Sequence, residues 1–568
     1  MEHDIVIRGG TVIDGSGAPA RTADVAIANG RIVEVGRVTG AGRREVDASG
    51  ALVTPGFVDI HTHYDGQATW DQRLQPSSDH GVTTVVAGNC GVGFAPVRPA
   101  DRELLVELME GVEDLPGTVL HEGLSWQWET IADYLDALDG RHYDIDLATQ
   151  VCHAPVRVYV MGQRGADREA ATPDEIAEMG RIAAEGVRAG ALGFSTSRTL
   201  NHRTSRGEPT PTLTAARSEL VGIAAAIGAT GQGVLQVVSD FTEGVEEDET
   251  LLAMMRASGR PLSISLLQAG PGTGYRSKLA LLETARAEGL TMRAQVAARA
   301  VGILVGLQGT VNPLRGTAAF AAVAHLPLAE QAAALSSPEQ REQLVTELRS
   351  GTARLSLSRL YELGTPPRYE PRPEDSIAAR AAAAGVDPYD VLVDLLLADQ
   401  GRALLYLPFL NYFDGSLDAA HEMLAHPFTV PGLGDGGAHV GTICDGSFPT
   451  SLLVHWGRDR DRGPKFDLPY LVHRQARGTA EAVGLLDRGL LAPGYKADVN
   501  VIDFDRLGLQ PPQMVRDLPA GGKRLLQRAT GYVHTFVSGV ETQCGGEPTG
   551  ALPGRLVRGQ QSAPSTGA

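Results

Sequence analysis

Between residues 57 and 437, short apolar runs alternate with longer helical stretches. This alternation constrains the fold more than any other feature of the chain. The runs are FVDIHTH (57–63), TTVVAGNCG (83–91), DLATQVCHAP (146–155), ALGFSTS (191–197), GVLQVVSD (233–240), PLSISLLQ (261–268), TMRAQVAAR (291–299) and TVPGLGDGG (429–437). Each has strand length, and most intervals suit a helix. One interval opens on Thr172-Pro173, a cap followed by proline in the first turn, and closes on Gly190, which predicts a helix between them. Strands joined through helices run parallel. Eight such units predict an α/β chain built on a (β/α)8 barrel, a TIM barrel, with its site at the C-terminal strand ends.

The barrel is expected over 56–304 and 426–487. The interval between its last two strands, 305–425, is too long for one helix. It holds Ala/Leu-rich helical pieces and a proline-rich stretch, GTPPRYEPRPED (364–375). It reads as an inserted helical subdomain, either a lid over the barrel mouth or a peripheral decoration. Residues 1–55 are short β-branched runs punctuated by Gly-Gly and Asn-Gly, strands that cannot close a core alone. GYKADVNVIDFD (494–505) and TGYVHTFVSGVETQ (530–543) are again strand-like. Residues 1–55 and 488–568 are therefore expected to share one discontinuous β-sandwich, with a wrapped or disordered tail from about 545.

The first run carries the chemistry. On a strand, alternate residues face the same way, so His61 and His63 project together from its end, as a metal site needs. The last run ends in Asp435 between glycines, which permit close backbone approach to a ligand. Two imidazoles and a carboxylate suit zinc or another divalent ion. Such an ion polarises a carbonyl and makes water a competent nucleophile near neutral pH. Asp435 is then the expected catalytic residue, taking the water's proton and passing it to the leaving nitrogen.

Composition removes several classes. With 50 Lys and Arg against 68 Asp and Glu, the net charge is −18, which argues against nucleic-acid or anionic-membrane partners. No apolar run approaches the ~20 residues of a membrane span, and MEHDIVIRGG lacks the pattern of a secretory signal. Four cysteines (Cys90, Cys152, Cys444, Cys544) show no pairing pattern, which predicts a reduced, cytoplasmic protein. Barrels of this size often self-associate, but no stretch identifies an interface.

FVDIHTHYDGQATWD (57–71), HGVTTVVAGNCGVGFAPV (80–97), GALGFSTS (190–197) and LAPGYKADVNVID (491–503) resemble the amidohydrolase superfamily, and within it the D-aminoacylase-like N-acyl-D-amino-acid deacylases. The resemblance spans nearly the whole chain and implies hydrolysis of an amide-type C–N bond in a small molecule. It also implies that Cys90, in the GNCG motif, is a metal ligand where most amidohydrolases use a carbamoylated lysine. The four lysines (Lys278, Lys465, Lys496, Lys523) avoid the proposed strand ends.

Two departures shape the expectation. The family's tighter metal site adds histidines from the fifth and sixth strands, and neither strand here contains one. One ion per chain is therefore expected, held by His61, His63, Asp435 and Cys90. The family's His-Pro-Arg after the catalytic aspartate is also missing from AHVGTICDGSFPTSLLVHW (438–456). His153, Arg157, His202, Arg203 and His439 are the candidate substrate contacts in its stead. Two alternatives stand beside the deacylase reading: hydrolysis of a cyclic amide or deamination on the same barrel, and an inactive barrel kept for binding.

Overall fold

The computed structural model describes residues 3–242, 244–351 and 355–565. Its centre is parallel. Phe57–Asp59, Val82–Ala87 and Asp146–Thr149 form one sheet. A six-stranded sheet runs from Val151–Cys152 through Gly193–Arg198, Val234–Ser239, Leu262–Leu266 and Met292–Val296 to Thr429–Pro431. Val82–Ala87 is buried along its whole length, as expected of parallel strands covered on both faces. Only Gln150 separates the end of the first sheet from the start of the second, and Leu192 N donates to Thr149 O across that seam at 2.8 Å. At the other margin Thr62 bridges Gly436 in parallel, and His63 N donates to Gly436 O at 2.8 Å.

The helix predicted after Thr172 spans Pro173–Ala189. The Thr172 side chain accepts from Glu175 N, the Glu175 carboxylate accepts from Thr172 N, and Gly190 follows at the C-cap. This reciprocal cap satisfies two of the orphan donors of the first turn.

The strands of the two chain ends interleave in a single nine-stranded sheet. Val499–Ile502 pairs on one side with Leu52–Pro55 and on the other with Tyr532–Val537. Ile7, Val25, Ile27, Val53, Val499, Val501 and Phe536 form its apolar core. A buried ionic cluster ties this sheet to the parallel strands. Asp146 lies 2.8 Å from Arg488 and 3.0 Å from Lys496, which reaches Asp498 at 2.7 Å. The tail is laid along the body, with Gly554 bridging Tyr143 and Leu556 bridging Leu147.

The long interval is not purely helical. Val301–Val305, Leu405–Leu410 and Tyr361–Glu362 form a three-stranded antiparallel sheet beside, among the described residues, five α-helices between Ala318 and Leu397. Leu314, Leu335, Leu344, Val393 and Leu396 give this segment a separate apolar core. Pro408 argues against a strand at 405–410, because proline cannot donate to a ladder. It is accommodated opposite Gly302, where the register shifts, the kind of irregularity that tolerates a missing donor.

Candidate metal-binding site

The first parallel strand ends at Asp59, and the chain continues extended through His61 and His63, both 1 % exposed. Alternation still holds, and the two rings lie edge to face with centroids 5.5 Å apart. His61 Nε2 is 3.3 Å from Cys90 Sγ. Asp435 Oδ1 is 3.4 Å from His61 Nε2 and 3.6 Å from His63 Nε2. One donor atom each from His61, His63 and Cys90 falls within 4.8 Å of the other two. Four residues from three separate stretches of the chain thus converge at one end of the parallel strands.

The backbone is bent to bring them there. Cys90 (φ 57°), Asp435 (φ 46°) and His439 (φ 49°) all occupy the left-handed region. Non-glycine residues adopt it rarely, and it clusters where function demands it. Gly436 beside Asp435 admits the closest contact: a Cβ there would sit 2.4 Å from Ser77 Oγ and 2.8 Å from Tyr64 Oη.

Further polar groups set the state of these donors. His61 Nδ1 donates to Gln295 Oε1 at 2.6 Å, leaving the Nε2 lone pair to face Cys90 and Asp435. Gln236 Oε1 accepts from Cys90 N at 3.1 Å, and Gln295 Nε2 donates to Ser263 Oγ at 3.0 Å. Gln236 and Ser263 belong to the fifth and sixth strands, the ones without histidine. They support the site from behind. Glu113 also enters, its Oε1 3.2 Å from His63 Nδ1.

The site is rich in carboxyl groups. Asp59, Asp65 and Glu113 are buried, Asp435 nearly so, and among the described residues none of the four pairs with lysine or arginine. Burial pushes Asp59 up to about 7 and Asp65 up to about 6, with Asp435 raising the first and Glu113 the second. Burial opposes ionisation of Asp435 as well, but His63 and His61 hold it well below the usual carboxylate range. Burial pushes the Cys90 thiol up to about 11 and His61 down to about 4. A neutral imidazole, a thiol that a cation would ionise and a surplus of buried carboxylates suit a divalent cation. The residues present therefore fit the ion that the donor set calls for.

The five expected substrate contacts separate into three groups. His202 and His439 lie at the site. His202 Nδ1 is 2.9 Å from Ser197 Oγ, and burial, with the His439 and His63 charges, pushes its pKa down to about 3. His439 Nε2 lies 3.6 Å from Glu113. Arg203 is exposed and donates to Gly207 O at 2.9 Å within its own loop. His153 and Arg157 are 0 % and 1 % exposed and share one internal network. The strand ends at Cys152 and His153 opens the helix His153–Met161. Its Nδ1 is 2.8 Å from Thr196 Oγ1 and its Nε2 2.9 Å from Glu219, to which Arg157 also donates.

Sequence reading passed over Glu113, Gln295 and Gln236. Glu113 shares the buried face of the helix Arg102–Glu113 with Leu105, Met109 and Val112, and a carboxylate on an apolar stripe is a usable signal. Gln236 and Gln295 are likewise buried polar residues within parallel strands.

The profile of the amidohydrolase family matches residues 44–543. The chain belongs to this family. It is accordingly a hydrolase of carbon–nitrogen bonds other than peptide bonds. It is 27 % identical to a D-aminoacylase of Alcaligenes xylosoxydans xylosoxydans over 572 residues, covering 98 % of this chain and 97 % of that one. An N-acyl-D-aspartate deacylase of the same organism is 37 % identical over 196 residues, 34 % of this chain and 36 % of the relative. A solved D-aminoacylase superposes with a TM-score of 0.65 at 25 % identity, covering 98 % of this chain and all of that one. That protein has a binuclear metal centre with one-metal activation and second-metal attenuation. No described helix is long and apolar enough to cross a membrane.

Proposed function

We propose that this chain is a metal-dependent hydrolase of small N-acyl compounds, similar in reaction to the D-aminoacylases. The observation that carries the reading is the convergence of His61, His63, Cys90 and Asp435, with His61 fixed in its ligand tautomer by Gln295. The eight parallel segments act as one closed (β/α)8 barrel, a reading supported by the Thr62–Gly436 bridge and the Thr149–Leu192 bond. The two chain ends form a composite β-domain, and 305–425 an inserted subdomain.

His61, His63, Cys90 and Asp435 would hold one zinc or similar ion. Bound there, it supplies Lewis-acid polarisation of the scissile carbonyl and activation of water. Asp435 is ionised and next to both imidazoles, so it can accept a proton from the attacking water and return it to the departing nitrogen. Gln295 keeps His61 from turning. Gln236 holds the Cys90 backbone. His202 and His439 are the groups placed to meet the acyl compound, and burial keeps His202 neutral, a hydrogen-bonding group and no counter-ion. A single ion is favoured because Gln236 and Ser263 stand on the strands that would supply a second set of imidazoles.

Metal content of the purified, zinc-reconstituted protein, with the His63→Ala variant alongside, tests the reading. About one equivalent in the parent and much less in the variant is the expected result. No bound metal refutes the proposal, and two tightly held ions refute the single-ion form of it.

A further inference from the structure

Glu113 closes the helix Arg102–Glu113, in the excursion between the second and third parallel strands. It is 1 % exposed, and its Oε2 has no hydrogen-bond partner. Among the described residues, its ion-pair contacts are two histidines: His63 Nδ1 at 3.2 Å from Oε1 and His439 Nε2 at 3.6 Å from Oε2. A buried carboxylate without a guanidinium or ammonium is expensive to keep.

Its placement is built, not incidental. Glu113 O accepts from His439 N. The next residue, Asp114, accepts from Gly441 N at 3.1 Å, from Thr310 Oγ1 at 3.1 Å and from Thr442 Oγ1. The helix end is thus fastened to the loop that follows Asp435 and to the inserted segment. That anchoring delivers one carboxylate to the far nitrogen of His63.

An imidazole whose Nδ1–H faces a carboxylate presents its Nε2 lone pair on the opposite side. For His63 that atom is the one 3.6 Å from Asp435. The Glu113 contact lies within hydrogen-bond distance but is poorly aligned for a hydrogen bond. The two imidazoles are therefore backed differently, His61 by the amide of Gln295 and His63 by a carboxyl group.

We propose that Glu113 is a positioning residue that fixes the orientation of His63 and strengthens its grip on a divalent cation. This rests on the reading that His61, His63, Cys90 and Asp435 hold such an ion.

The test is the zinc affinity of the full-length protein, by competition with a chromophoric chelator, for the parent, Glu113→Gln, His63→Ala and the double variant. Glu113→Gln weakens zinc binding by roughly 10–100-fold, the usual effect of losing such a backing group. In the His63→Ala background the same change has no further effect, because Glu113 acts through that ring. The visible d–d bands of the cobalt-loaded protein shift in Glu113→Gln. Parental affinity in Glu113→Gln, or an undiminished loss in the His63→Ala background, overturns the proposal. If Glu113→Gln does not fold, Glu113→Asp withdraws the charge by one carbon and must also bind more weakly; parental affinity there overturns it equally. A parent that takes up neither zinc nor cobalt removes the metal reading itself, whereas a parent that binds and a Glu113→Gln variant that binds equally well removes only the role of Glu113.

Discussion

Replacing Glu219 by glutamine separates a structural network from a substrate site. Glu219 is 1 % exposed and joins His153 and Arg157. Burial works against its charge, but His153 and Arg157 outweigh burial and hold its pKa down to about 2, against 4.5 for a free glutamate. At about 1.4 kcal/mol for each pH unit of difference, the pair contributes roughly 3 kcal/mol. Mutational experience with broken buried pairs, about 3–5 kcal/mol, gives the same scale. Unfolding entropy of about 2.1 cal/mol/K per residue gives about 1.2 kcal/mol/K for 568 residues, so Glu219→Gln lowers Tm by about 2–3 °C at neutral pH. The folded-state pKa is depressed, so this stabilisation is complete above about pH 4.5 and is lost as pH falls toward 2. The difference in Tm between parent and variant, followed by fluorescence from pH 7 to pH 3.5, is therefore constant at first and shrinks below about pH 4. Equal Tm values at pH 7, or a difference that grows with acid, refute the reasoning. Substrate contacts at His153 and Arg157 predict the opposite pattern, a raised KM with unchanged Tm.

Three further outcomes are expected. Gln295→Leu removes the acceptor for His61 Nδ1 and leaves a buried N–H unpaired, costing about 1–3 kcal/mol; zinc competition reads this as a loss of about 10–100-fold, and an unchanged affinity counts against the assigned tautomer. Asp146→Asn removes one of the two carboxylate partners of Arg488 and of Lys496 and lowers stability by about 1.5–3 kcal/mol, visible as a lower urea midpoint; an unmoved midpoint shows that the cluster does not tie the β-sheet to the parallel strands. Arg203→Ala, which removes only a bond within its own loop, changes stability by less than about 0.5 kcal/mol and leaves KM for any N-acyl substrate within about twofold, and a larger change in KM returns Arg203 to the substrate site.

The parts of the site that could be read in the sequence are those whose chemistry is local. His61 and His63 are two residues apart on extended chain, and Asp435 stands among glycines; both patterns survive without tertiary information. Cys90 needed a family resemblance, since nothing near it in sequence says that it will meet His61 at 3.3 Å. Glu113 and Gln295 were missed because their roles exist only across the fold, 50 and 234 residues from the histidines they face. His153 and Arg157 show the same limit. A strand read through to Pro155 puts them at the catalytic face, but the helix begins at His153 and carries both into the interior. The β-strands of the inserted segment were hidden by Pro408 and by the two-residue strand Tyr361–Glu362.

The shared sheet of the two chain ends has a consequence for synthesis. Leu52–Pro55 leaves the ribosome long before Val499–Ile502, the strand it pairs with, exists. At 5–20 residues per second the wait is roughly 20–90 s. His3–Val12 can meanwhile fold against Arg21–Ala28 and Gly42–Asp47, but the edge facing the missing strand stays open, and an open edge recruits other chains. Nascent molecules are thus exposed to aggregation through their N-terminal sheet until translation is nearly finished. Conditions that shorten the wait or lower the number of chains made at once favour soluble product, and early termination upstream of residue 499 leaves a protein in which one edge of Leu52–Pro55 has no partner.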